Sequence, residues 1–431
     1  MKFTLKRRKW FKYMLTLLIA TVVLGQFSII KRHWDHIRIL KERKPKVPFE
    51  ISDNDREILS HQAYNNPGDF LAVGNYLRTF QKYHDNIWRQ VTINNTDIDS
   101  FQPEFKIIEA GTLGFLRHAY NSSIHLRQSY SKRGIVLCVN NRYATMAYST
   151  AHIIRKVYKS NLPIEVFYIG DSDLNESNRQ WLMTVSDLKV IDLSAVFDNS
   201  VLSLKGWEAK PFAMLVSSFE EIVMIDADTI FLQPPETFFE GSLYKTHGAL
   251  FFKDRPVFSV NPLSVLAAQN LFGGVIPEKV ANTPILSYQA RHYQESDKET
   301  FWIGFTMVGS DYEFEPSLPG SMGIADRLDE QNSKVCSEQM VHLGENGLPG
   351  WANGGWVNTK FRKGAGLGTF THYNIGSGQS SYIFTGKSPN YVCVTSNQDP
   401  TRFTDIQQEY IQKSVNFIQS ENLSFDDSVR E

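Results

Sequence analysis

The sequence predicts an α/β protein: an open, largely parallel sheet flanked by helices, preceded by a membrane anchor and a small helical subdomain. Three observations predict it. From Gly134 onward, apolar runs of strand length alternate with helix-length amphipathic segments. Before residue 131 the apolar residues recur at helical spacing instead. Near the start, Tyr13 to Ile30 is an eighteen-residue run without a charge.

That first run would span about 27 Å as a helix, close to the thickness of a thin secretory-pathway bilayer. Lys2, Lys6, Arg7, Arg8, Lys9 and Lys12 precede it with no acidic residue. A basic tail of this kind favours residues 1–12 as a cytosolic tail and 13–30 as an uncleaved signal-anchor. The rival is a cleaved signal peptide ending near Val23-Leu24-Gly25, but the apolar run continues through Phe27, Ile29 and Ile30. Both readings export the rest of the chain. Residues 31–50, with Lys44-Pro45-Lys46 and Pro48, have no hydrophobic period and read as a stem.

Residues 51–130 read as the helical subdomain, with Asp53 or Asp55 as a cap and apolar pairs through Ile58-Leu59, Phe70-Leu71, Tyr76-Leu77 and Phe80. Residues 131–400 form the α/β domain. Ile135–Val139 is a continuous apolar run typical of a strand covered on both faces. A helix over Tyr143–Val157 follows, then strands at Ile164–Ile169 and Val190-Ile191. A helix at Pro211–Phe219 leads into a strand at Glu221–Ile225. After residue 240 the pattern turns irregular and rich in Gly and aromatics, as in a sheet edge with long loops. Residues 401–431 read as a helical tail.

Composition narrows the function. Of 431 residues, 42% are apolar, enough for a sizeable core, and 27 Gly with 17 Pro exclude collagen-like or low-complexity chains. Residues 1–50 hold 13 Lys/Arg and 3 Asp/Glu, so the remaining 381 carry a net charge of −11. An acidic body argues against nucleic acid, whose phosphates require a basic footprint. Three cysteines make neither a disulfide framework nor a zinc pattern. Cys138 reads as a small core hydrophobe; Cys336 and Cys393 are free to pair in an oxidising compartment, which the sequence leaves open.

Four Asp-x-Asp pairs occur, at 53/55, 97/99, 171/173 and 226/228. The first two lie in polar surroundings and read as caps or solvated loops. Asp171 and Asp173 follow a strand through Gly170 and are the secondary metal candidate. Asp226 and Asp228 stand between Ile222-Val223-Met224-Ile225 and Thr229-Ile230-Phe231-Leu232. If the chain stays extended there, both carboxylates project to one side of a buried strand end. They repel unless a cation sits between them, and a hard divalent ion satisfies them while leaving positions for phosphate oxygens. The alternative is a pair that caps neighbouring amides. A haloacid-dehalogenase phosphatase start also fits the string, but its acidic metal-binding loop belongs downstream, and Gly170-Asp171-Ser172-Asp173 lies upstream. Metal-assisted transfer of a sugar from a nucleotide diphosphate sugar fits better, because the leaving diphosphate accumulates charge that a metal stabilises.

Trp207-Glu208-Ala209-Lys210-Pro211-Phe212-Ala213-Met214, then Ser217-Ser218-Phe219-Glu220-Glu221 and the aspartate pair, resemble the fungal α-1,3-mannosyltransferase family. These are Golgi type II membrane enzymes that add mannose to protein-linked glycans. The match extends over Arg133–Arg255 and resumes at Asp297–Gly323 and Trp351–Lys360 (WANGGWVNTK). The resemblance implies a GT-A-type fold, GDP-mannose as donor, Mn²⁺ as metal, a glycan acceptor on glycoproteins, and retention of the anomeric configuration. In one respect the chain departs from it. Family members carry a longer stretch, with a Glu-Ser-Gly turn, where Pro256–Glu295 is short. Either an acceptor-side element is lost or a piece of the sequence is missing there.

The resemblance also suggests roles. Lys210 corresponds to a basic residue that contacts the donor diphosphate in related retaining transferases; otherwise it is a solvated lysine at a helix start. Asn140, Asn141 and Arg142 follow the first strand and hold the nucleotide or form a plain turn. Asn353-Gly354-Gly355 either brings backbone close to the sugar or closes a hairpin. His372 is the candidate third metal ligand, or else a plain core or surface histidine. Asp297, with Glu299 second, would stabilise positive charge at the anomeric carbon from the face opposite the diphosphate, or else merely open a helix. Two other readings stay open: a catalytically impaired paralogue serving as a binding subunit of a transferase complex, and a secreted lectin-like protein.

Overall fold

The computed structural model describes residues 50–60, 70–93, 98–109, 123–197, 199, 204–255, 298–307, 310–327, 333–360, 362–385 and 391–426. The apolar stretch 13–30 and the short segment 256–295 lie outside them. Among the described residues no helix is long and apolar enough to cross a membrane. The chain divides into two compact units, one drawn from residues 1–131, 193–218 and 259–312, the other from 132–192, 219–258 and 313–431. The expected domain at 131–400 is thus interrupted twice by segments that join the N-terminal helices.

The described α-helices of the first unit are Asp53–Ser60, Phe70–Ile93, Gln102–Ile108, Ser123–Gln128, Leu193–Val196, Ala209–Val216 and Lys298–Met307. Along Phe70–Ile93 the buried residues Tyr76, Phe80, Tyr83 and Ile87 recur at three- and four-residue spacing, which makes one apolar stripe. Lys82 and the Tyr83 hydroxyl both donate to Asp55 Oδ2, at 2.8 and 2.6 Å, and tie the first two helices together. Ala209–Val216 is apolar apart from Lys210, and seven of its eight residues are buried.

The second unit holds all sixteen described strands. Strands β1 (Arg133–Cys138), β2 (Ile164–Tyr168), β3 (Leu188–Asp192) and β4 (Glu221–Ile225) form a parallel sheet in the order β3-β2-β1-β4. All five residues of β2 are buried, as expected where both faces are covered. The helix Ala144–Lys156 buries Ala144, Ala147, Ala151 and Ile154 along one face. At its end Arg155 donates to the carbonyls of Ser160, Leu162 and Ser186. Those bonds occupy backbone acceptors leading into β2 and β3.

β5 (Thr229–Phe231) leaves this sheet, and two short strands, β6 (Leu250–Phe251) and β7 (Glu313–Phe314), pair with each other. The remaining strands are β8 (Gly320–Gly323), β9 (Ala325–Arg327), β10 (Ser333–Ser337), β11 (Met340–Leu343), β12 (Pro349–Asn353), β13 (His372–Ile375), β14 (Tyr382–Phe384), β15 (Val392–Ser396) and β16 (Thr401–Arg402). They build an antiparallel sheet ordered β16-β13-β8-β11-β12-β5 and another ordered β14-β15-β10-β9. A helix at Asp405–Ser420, capped by Thr404, closes the described chain and packs Phe417 and Ile418 into the core. One cluster joins Leu137, Ile153, Val166, Ile225, Ile230, Val341, Ala352 and Tyr373, so both large sheets share a core.

The fold is therefore mixed α/β, and two expectations change. The described region after residue 240 carries eleven of the sixteen strands. Its strands are two to five residues long, and β8 (GSMG) is buried at every position, so no polar alternation marked it. Cys138 ends β1 half-buried, while Cys336 and Cys393, directly opposite on β10 and β15, form a disulfide.

Candidate functional site

β4 and β5 belong to different sheets, so the chain must turn between them. Asp226-Ala227-Asp228 is that turn. The Thr229 N–H donates to the Asp226 carbonyl at 3.1 Å, and the buried Thr150 hydroxyl donates to the Ala227 carbonyl at 2.8 Å. The expectation of an extended chain with i and i+2 on one side is corrected here. The two carboxylates are related instead by a segment that both of them touch, residues 353–360.

Asn353 ends β12 in register with Thr229, and its Nδ2 donates to Asp226 Oδ2 at 3.1 Å. The Gly355 N–H donates to the Asp228 carbonyl at 2.9 Å. Lys360 Nζ is ion-paired with Asp228 Oδ2. The backbone between these contacts is glycine for a steric reason. Gly354 has φ +128° and Gly355 φ +72°, and a Cβ on Gly354 would stand 3.0 Å from Gln339 Cα.

The 353–360 segment is clamped from beneath. Buried Gln339 donates from Nε2 to the carbonyls of Gly355 at 3.0 Å and Val357 at 2.7 Å, and the Lys360 N–H donates to Glu338 Oε2 at 3.0 Å. Gln339→Ala strips two buried carbonyls of their donor and is expected to lower stability by about 2 kcal/mol. Thermal unfolding checks this; an unchanged Tm would mean that the clamp is not needed.

A divalent cation fits the donor set. Two hard carboxylate oxygens flank one turn, and the ammonium on Asp228 is a stand-in cation, which shows that this position takes positive charge. Among the described residues no three His, Cys, Asp or Glu side chains gather to hold a metal. A metal held by two carboxylates would keep positions for further oxygens, as where a metal binds through substrate phosphates.

The structure does not bring His372 to the pair. It lies on β13, four strands from β5 in the same sheet, about 19 Å along the sheet at the usual strand spacing. Its Nδ1 is 2.9 Å from the Thr371 hydroxyl oxygen. Asn140 stands at the same sheet edge as Asp226, since β1 and β4 pair with Leu137 beside Ile225. The Asn140 side chain caps a 3₁₀ turn by accepting the Tyr143 N–H at 3.2 Å. Asn141 Oδ1 accepts from the Asn175 N–H and the Asn178 amide, so it fastens neighbouring loops. The Arg142 guanidinium lies over the Tyr143 ring, 5.9 Å from its centroid.

Asp171 is ion-paired with Arg179, and Asp173 accepts the Ile169 N–H at 2.9 Å, so this second pair works in its own turn. Burial raises the Asp173 pKa. In the first unit, Lys210 is 7% exposed and so is not the solvated lysine of the bland reading. Burial pushes the carboxyl of Glu208, two residues earlier, up to about 7. Glu299 falls in the first turn of Lys298–Met307, and Asp297 lies outside the described residues.

Sequence reasoning missed Lys360, Glu338 and Gln339. Lys360 had a signal. It ends the WANGGWVNTK block, where a lysine among aromatics and glycines has to be buried, and a buried ammonium needs a carboxylate.

A family model described as "Mannosyltransferase putative" matches residues 132–286 and 278–344, which takes in β1–β5 and the aspartate turn. "Putative alpha-1,3-mannosyltransferase MNN15" of Candida albicans is 25% identical over 339 residues, covering 56% of this chain and 43% of its own. "Probable alpha-1,3-mannosyltransferase MNT4" of Saccharomyces cerevisiae is 23% identical over 340 residues, 64% of this chain and 57% of its own. "Alpha-1,3-mannosyltransferase MNT2" of the same yeast is 20% identical over 376 residues, 74% of this chain and 65% of its own. The chain thus spans less than two-thirds of the length of each. The aspartate turn at the junction of two sheets falls inside the matched region, and the chain belongs to this fungal mannosyltransferase family.

Proposed function

We propose that the protein is a retaining mannosyltransferase of GT-A type that moves mannose from GDP-mannose to a protein-linked glycan, using Mn²⁺. The observation that carries this reading is the aspartate turn, with Asp226 and Asp228 at the carboxyl edge of a parallel sheet, where α/β folds bind ligands. Asp226 and Asp228 would hold the metal, which supplies charge neutralisation for the departing diphosphate. Asn353 aims the Asp226 carboxylate through its amide, and the Gly354-Gly355 turn lets backbone approach the sugar. Asn140 and Arg142, at the adjacent strand end, are placed to contact the nucleoside. For Lys210, Asp297 and Glu299 the donor and carboxylate roles rest on the resemblance.

A Golgi lumenal location, with residues 13–30 as a type II anchor, is supported by the basic tail before the apolar run and by the Cys336–Cys393 disulfide, which persists in oxidising compartments. The test uses the full-length chain with GDP-mannose and a mannose-terminated oligosaccharide. GDP release coupled to transfer, lost on metal removal and restored by Mn²⁺, is the expected result. Donor binding without turnover would move the protein to the binding-subunit reading, and no binding at all would sink both.

A further inference from the structure

Lys360 carries a charge yet is 6% exposed, a placement that costs free energy unless a carboxylate compensates it. That carboxylate is Asp228, whose side chain is itself 11% exposed. The Lys360 backbone is anchored separately, by its N–H to Glu338, while the four-carbon stem can pivot. The oxygen that Lys360 engages, Asp228 Oδ2, belongs to one of the two carboxylates proposed above to hold a divalent cation. Two cations cannot share that oxygen without strong repulsion at this distance.

A cation arriving at Asp228 therefore competes with the ammonium and frees it to engage an anion that arrives with the metal. The diphosphate that arrives with the metal is such an anion, and ammonium-to-phosphate hydrogen bonds are among the strong charge-assisted kind. We propose that Lys360 is an exchangeable counter-cation, neutralising Asp228 before the donor arrives and passing to the nucleoside diphosphate when the metal takes Asp228. This rests on the metal-dependent reading of the aspartate turn. It makes Lys360 a donor-binding residue and explains how the half-buried Asp228 carboxylate is neutralised between turnovers.

The experiment is calorimetric and needs no turnover: Mn²⁺ alone, and GDP in saturating Mn²⁺, titrated into the full-length chain and into Lys360→Met. The exchange requires two opposite shifts. Mn²⁺ should bind the variant at least about tenfold more tightly, because a competing charge is gone. GDP should bind at least about tenfold more weakly, because a phosphate partner is gone. Either shift without the other overturns the exchange. Should Lys360→Met not fold, Lys360→Gln carries the same two expectations, since it too removes the charge. Failure of the underlying reading looks different: the unaltered chain would bind Mn²⁺ no better than Asp226→Asn does.

Discussion

Asp226→Asn and Asp228→Asn each lower mannose transfer at least about a hundredfold, the scale expected when transition-state charge loses its stabiliser. The two variants part company in stability. Asp226 gives up a hydrogen bond from Asn353 that an amide can partly replace, so its variant stays within about 1 kcal/mol of the parent. Asp228→Asn removes the carboxylate that the buried Lys360 ammonium is paired with, which costs about 3 kcal/mol. Steady-state rates at saturating Mn²⁺, with denaturant unfolding of the same preparations, check both halves. Full activity in either variant would remove that residue from the site. If Asp171→Asn were equally damaging, the functional pair would be the other one, although the Asp171–Arg179 ion pair argues for a local role.

Opening the Cys336–Cys393 bridge is the second large effect. The disulfide joins facing residues of β10 and β15 and closes a loop across a sequence separation of 57, for which chain entropy gives about 4 kcal/mol. Cys336→Ser or Cys393→Ser should therefore lower stability by about 2–4 kcal/mol, read as a drop in Tm. Activity should fall as well, for a positional reason. β10 runs directly into Glu338 and Gln339, the residues that hold the 353–360 segment against the aspartate turn. A variant with unchanged Tm would show that the sheet alone holds these strands. Loss of stability with unchanged transfer would separate the bridge from the site.

The first half of the α/β region was legible because its residues repeat one physical theme. Parallel strands covered on both faces read as apolar runs, and β1, β2 and β4 fall within two residues of the expected bounds at each end. The second half was not legible. Strands such as β8 and β16 are too short to show a period, and β8, buried at every position, gives no polar alternation to find. The pairing of Cys336 with Cys393 was undetermined for the same reason, since strand register decides it.

What the sequence determined by itself is that an acidic pair stands between two apolar strands. An acidic pair bracketed by two apolar strands needs a cation wherever it is buried, and that follows from charge and context alone. Only the tertiary structure decided which side chain stands beside each carboxylate and what holds it there. Lys360 lies 132 residues beyond Asp228, and Asn353 lies 127 beyond Asp226. Both reach the turn because β12 pairs with β5 and Gln339 pins the glycine turn that follows. His372 shows the converse: a plausible ligand by type is carried four strands away by the same sheet. Which residues meet is settled by strand order and register, and those depend on contacts that no local stretch of sequence contains.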